Sequence, residues 1–108
     1  MSYILKFIDE LEELINNREY VDNLTIDFNK NINHLLRNLT DLECLKFGYF
    51  YNQPTNLSML SNLTNLQFGC CYNQITDLSN CKKLKKYNIY NNESVRVSTC
   101  LNEYFQKN

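Results

Sequence analysis

The residues best equipped for chemistry are few: one histidine, His34, five cysteines, and the lysine cluster CKKLKK at Cys81–Lys86. Cys70 and Cys71 are adjacent, and a thiolate beside a positioned base would be a nucleophile. Nothing in their surroundings, FGCCYNQ, supplies that base. His34 sits in NINHLL, a loop-to-core stretch that suits a surface or partly packed histidine better than a catalytic one. The cysteines (Cys44, Cys70, Cys71, Cys81, Cys100) are odd in number and form no CxxC pair. Neither a disulfide framework nor a zinc knuckle is expected of them, and they read as reduced thiols in or near the core. No P-loop, dinucleotide fingerprint or purposeful carboxylate pair is present,. The chain is therefore expected to be no enzyme and to use no cofactor and no metal; a small thiol enzyme ranks last among its readings. Lys82, Lys83, Lys85 and Lys86 form a basic patch that could meet nucleic acid or an acidic partner,. Leu84 in their midst belongs to a core column, so lysines solvated around a buried leucine are the simpler reading.

Positioning even these residues requires a core, and 108 residues with 44% hydrophobic content suffice for one domain,. No apolar run approaches the ~18 residues of a membrane span. The opening MSYILKFIDELEELI carries acids where a secretory signal would be basic,. A soluble, cytoplasmic protein is expected, and the five N-x-[ST] triplets then read as products of an asparagine-rich composition. Charge is split between the ends. Asp9, Glu10, Glu12, Glu13, Glu19 and Asp22 outweigh Lys6 and Arg18 at the start, while the last third is basic. Weak, salt-sensitive head-to-tail association of an otherwise monomeric chain follows from that split.

The phrase FGYFYNQ at Phe47–Gln53 returns as FGCCYNQ at Phe68–Gln74, a shift of 21 residues, and the chain's two glycines, Gly48 and Gly69, both lie in it. The same shift aligns Val21, Leu42, Leu63 and Leu84; then Leu24, Leu45, Leu66 and Tyr87; then Ile26, Phe47, Phe68 and Ile89. Leu36, Leu57, Leu78 and Thr99 form a weaker column, and Leu39, Leu60 and Cys81 another. Period-two alternation predicts short strands at Leu24–Ile26, Leu45–Phe47, Leu66–Phe68 and Tyr87–Ile89. A unit this small cannot bury its own apolar side, but stacked copies can. The expectation is an α/β solenoid of about four 21-residue coils, leucine-rich-repeat-like, with one parallel strand per coil.

The ends read as covers. Ile4, Phe7, Ile8, Leu11, Leu14 and Ile15 fall on one helical stripe behind Ser2 as N-cap, which predicts a capping helix over 1–18,. Coils would fill 19–98, and Leu101, Tyr104 and Phe105 suit a short helical cap over 99–108.

The stretches LECLKFGYFYNQPTNL and LTNLQFGCCYNQITDL resemble the FNIP repeat, a leucine-rich-repeat relative of about 22 residues,. The likeness rests on Leu42, Leu45, Phe47, Gly48, Asn52, Gln53 and Pro54, then Leu63, Leu66, Phe68, Gly69, Asn73 and Gln74. Tyr51 and Tyr72 replace the family's second phenylalanine, and Ile75 replaces its proline. The resemblance implies a curved solenoid used for protein contacts. The family's F-box context does not carry over, because too few residues precede the first coil.

Apart from any family, a glycine after each strand permits positive φ, a bulge or close backbone approach. Asn52 and Asn73 are expected to satisfy turn amides, and Tyr51 and Tyr72 to pack beneath the turn with their hydroxyls at its edge. The functional expectation is a non-enzymatic protein-binding module whose site is the exposed face of the sheet. Its partner-facing residues would be Lys46, Asn65, Gln67, Asn88 and Tyr90, with Tyr49 and Phe50 as aromatic anchors at the rim,. A viral or mobile-element protein inhibiting a host target would fit that description. Nucleic-acid contact through the basic patch is the alternative.

Overall fold

A computed structural model describes residues 2–74 and 76–88. It is an α/β arrangement around one all-parallel sheet of five strands in the order β1-β2-β3-β4-β5. The strands are β1 Ser2–Leu5, β2 Asn23–Ile26, β3 Cys44–Phe47, β4 Asn65–Gln67 and β5 Lys86–Asn88. Ser2 pairs with Asn23, Asn23 with Cys44, Cys44 with Asn65 and Asn65 with Lys86. Every pairing is thus offset by the sequence period, so the leucine columns are also spatial columns.

Two features of the expected start are corrected. Among the described residues there are five strands where four were predicted, and Ser2 begins a strand instead of capping a helix. The helix is α1, Ile8–Asn16, and it forms the return from β1 to β2. Ile4 and Phe7, assigned to its buried stripe, are 68% and 69% exposed. Pairing with β2 decides the matter: Tyr3 and Leu5 stand one period before Leu24 and Ile26, and adopt their alternation. Local helical spacing yields where a ladder of backbone hydrogen bonds is available to the same residues. The predicted C-terminal cap over 99–108 lies outside the described residues. Among those described, no helix is long and apolar enough to cross a membrane.

One face of the sheet builds the core. Leu24, Ile26, Leu45, Phe47 and Leu66 point inward and are buried, while the residues between them face outward. The returns close the core from the other side. α1 contributes Leu11, fully buried, with Ile8, Leu14 and Ile15 packed beside it. Glu10 fastens its start by accepting the Lys6 and Phe7 amides at 2.8 and 3.0 Å, filling part of the donor deficit at a helix N-terminus. The second return contains α2, Asn33–Leu36, a single turn.

Later corners are built from paired three-residue turns. Leu39 N–H donates to Leu36 O and Leu42 N–H to Leu39 O. Leu57, Leu60 and Leu63 repeat this, as do Leu78, Cys81 and Leu84. Cys81 takes a leucine's place in full burial, as its column predicted, and burial pushes its thiol up to about 11. Beneath the third and fourth strands run aromatic stacks. Phe47 lies 5.0 Å from Phe68 at an interplanar angle of 3°, and Phe68 lies 3.7 Å from Tyr72. The rings lie nearly parallel and bury their faces against one another.

Candidate functional site

The echoed phrase forms the corner where the chain leaves the sheet. Tyr51 N–H donates to Gly48 O at 3.3 Å, and Tyr72 N–H to Gly69 O at 3.2 Å. These close two β-turns with Tyr49–Phe50 and Cys70–Cys71 at their centres. Neither glycine has positive φ. What requires them is close approach between neighbouring units. A Cβ on Gly69 would stand 2.5 Å from Gly48 O and 2.8 Å from Tyr49 Cα, both backbone. A Cβ on Gly48 would meet chiefly the Asp27 carboxylate, a side chain able to rotate. Of the options left open by the sequence, close approach is the one realised.

Asparagines lock the corner across units. Asn52 Oδ1 accepts from Asn73 N and Gln74 Nε2 at 3.1 and 2.9 Å, one period away. Asn29 Oδ1 does the same for Asn52 N and Gln53 Nε2, but over a separation of 23 to the amide. The extra residues in the third unit are its turn, for which the second unit has no counterpart. Tyr49 and Phe50 therefore overhang the shorter path beneath them, and are 60% and 73% exposed. Their rings meet edge-on at 4.9 Å and 72°.

Tyr51 and Tyr72 are buried under the turns, as expected, but their hydroxyls are bonded inside instead of lying at the edge. Tyr51 reaches Thr55 Oγ1 at 2.7 Å and Thr55 donates to Gln53 O; Tyr72 reaches Thr76 Oγ1 at 2.6 Å and Thr76 donates to Gln74 O. A threonine hydroxyl has one proton, so each tyrosine must be the donor to its threonine. Burial holds the Tyr51 phenol up to about 12, which keeps that donor in place. Thr55 and Thr76 were missed in the sequence reading, although YNQPT and YNQIT repeat them in phase.

Overhang and sheet together shape a depression of about 570 Å³ at the C-terminal ends of the strands. Lys46, Tyr49 and Gln67, all expected at the site, line it with Thr25, Asp27 and Cys70. Phe50 stands beside it against Tyr49. Thr25, Lys46, Gln67 and Asn88 form one cross-strand row, with Ile4 preceding them. Asn65 belongs to a different row, with Asn23, Cys44 and Lys86, toward the strands' N-terminal ends. Tyr90 lies outside the described residues. Asp27 carries a surface ion pair to Lys6, 3.6 Å long.

The other candidates are dispersed. His34 is exposed on α2. Lys82 and Lys85 are exposed on the approach to β5, and Lys83 donates to Asn62 Oδ1 at 2.8 Å. Cys70 hydrogen-bonds Tyr49 and thereby raises that phenol; burial first, then Cys70, raises the Cys71 thiol. Cys71 is thus held toward its protonated, non-nucleophilic form. Among the described residues no group of three or more histidines, cysteines or carboxylates could hold a metal ion. No protein-family model matches this chain, and neither a curated protein nor a solved structure matches it.

Proposed function

We propose that this chain is a short leucine-rich-repeat-like solenoid of the FNIP type, acting as a non-enzymatic module that binds a protein partner through the outer face of its sheet. The observation that carries this reading is the overhanging Tyr49–Phe50 pair beside a concave, mixed-polarity depression. Large aromatic side chains left bare at the edge of a pocket are the groups that most often dominate binding energy. Protein contact ranks above nucleic-acid contact because Lys82, Lys83 and Lys85 do not line that depression, and Lys83 is already engaged by Asn62.

Capture from the source cell by the parent and by Tyr49→Ala and Phe50→Ala tests the proposal. Both side chains are largely exposed, so the variants should melt within a degree or two of the parent while losing a captured protein. Capture unaffected by either substitution would place any partner elsewhere.

A further inference from the structure

The depression has a charge preference as well as a shape. The outward residues of β1 to β4 include Lys46 and no aspartate or glutamate. Asp27, the one carboxylate lining the depression among the described residues, faces Lys6. Among the described residues Lys46 makes no ion pair, and its side chain is exposed in the centre of the row. The acids Asp9, Glu10, Glu12 and Glu13 stand instead on α1, in the first return. A chain with slight negative charge overall therefore presents a cation at this depression.

The geometry points to an acidic, extended protein segment as the occupant: an aspartate or glutamate opposite Lys46, flanked by a large apolar residue laid on Tyr49 and Phe50. This rests on the reading of the outer face as the binding site and names its partner's chemistry. The depression's volume is that of a site for a few side chains, and a carboxylate brought there by the partner would gain an unpaired ammonium partner. Nucleic acid fits less well. Its affinity is built from many phosphate contacts, whereas one lysine stands free here. The edge-on Tyr49–Phe50 pair also offers no parallel platform for successive bases,.

The test is selection of random twelve-residue displayed peptides on the full chain, followed by fluorescence anisotropy of the enriched peptides with the parent, Lys46→Glu and Phe50→Ala. Enriched peptides should pair Asp or Glu with Phe, Leu or Trp. Lys46→Glu should weaken them about tenfold or more, and changing the peptide's acid to lysine should recover binding to that variant. Peptides that are neutral or basic, or indifferent to Lys46→Glu yet lost with Phe50→Ala, would overturn the acidic partner and leave the outer face as the site. Binding indifferent to both substitutions, or no enrichment, would overturn both. Tighter Lys46-dependent binding of labelled oligo-dT than of any enriched peptide would overturn the protein segment in favour of nucleic acid.

Discussion

The first unit, residues 2–22, and the third, 44–64, solve the same problem with different materials. Each must leave a strand, cross over the core and deliver the next strand 21 positions on. The third unit does so with a glycine turn, stacked aromatics and an asparagine rung borrowed from its neighbour. The first uses a nine-residue helix capped by its own Glu10. The crossovers share no local structure, yet the register agrees. Spacing is therefore set by strand pairing and stacked apolar columns, and the return path is free to vary so long as its length is kept.

If columns set the register, removing a column residue should cost most. Leu45→Ala and Leu66→Ala are each expected to lose about 2–5 kcal/mol by denaturant melting, as buried leucines do,. Leu11→Ala, equally buried but on a helix able to shift into the space, should fall in the lower half of that range,. Melts of both column variants within a degree or two of the parent would break the comparison at its root.

The glycines sharpen it further. The sequence treats Gly48 and Gly69 as equals, but their surroundings differ. Gly69→Ala drives a methyl into backbone and is expected to cost about 1–3 kcal/mol, the range for overpacking,. Gly48→Ala meets mainly Asp27, which can turn away from Lys6, a surface pair of little worth,. It should cost less than half as much in the same melt. Equal losses would mean that the turn itself, and not the neighbouring unit, demands glycine.

These outcomes also mark what was legible beforehand. The column residues, the parallel strands and the outward setting of Lys46 and Gln67 follow from one period read along the chain. Strand β1 did not, because Ile4, Phe7, Ile8 and Leu11 satisfy a helical spacing as well as Tyr3 and Leu5 satisfy the strand phase. Two valid local patterns overlapped, and only pairing with Asn23–Ile26 chooses between them. The overhang of Tyr49 and Phe50 was hidden for another reason. It arises from two residues inserted relative to Asn29 and recovered by Leu36, whose turn to Leu39 returns one period on at Leu57 and Leu60, so a fixed shift of 21 passes over it.

A smaller effect separates the corners by pH. Cys81 is a corner residue whose folded-state thiol is raised by burial to about 11, from an ordinary value of 9.0. Folding favours the protonated form, so the stability it contributes is complete below pH 9 and lost as pH rises through 11. Cys81→Ala should flatten the part of the stability curve between those values. A parent curve that declines there no more steeply than the variant's would show that the thiol ionises without strain.

The smallest expected change is a gain, and it lies at the first unit's equivalent of Cys81. Counting back by the period from Leu39, Leu60 and Cys81 reaches Arg18, exposed and with φ of 54°. The backbone still closes there. Arg18 N–H donates to Ile15 O at 3.0 Å and Glu19 N–H to Leu14 O at 3.1 Å, the paired bonds of a left-handed helix end,. Helix α1 thus meets the same corner by turning its residue outward, where the later units bury a leucine or cysteine. A left-handed residue with a Cβ costs roughly 1–2 kcal/mol, and glycine avoids that while giving up some chain entropy. Arg18→Gly should therefore raise stability by about 0.5–1 kcal/mol. Arg18→Leu, which restores the column's residue type, should give no gain, because the left-handed backbone points that side chain into water. A clear gain from leucine would mean that the corner can repack like its neighbours, and that the helix is a replaceable ornament on a register the sheet already owns.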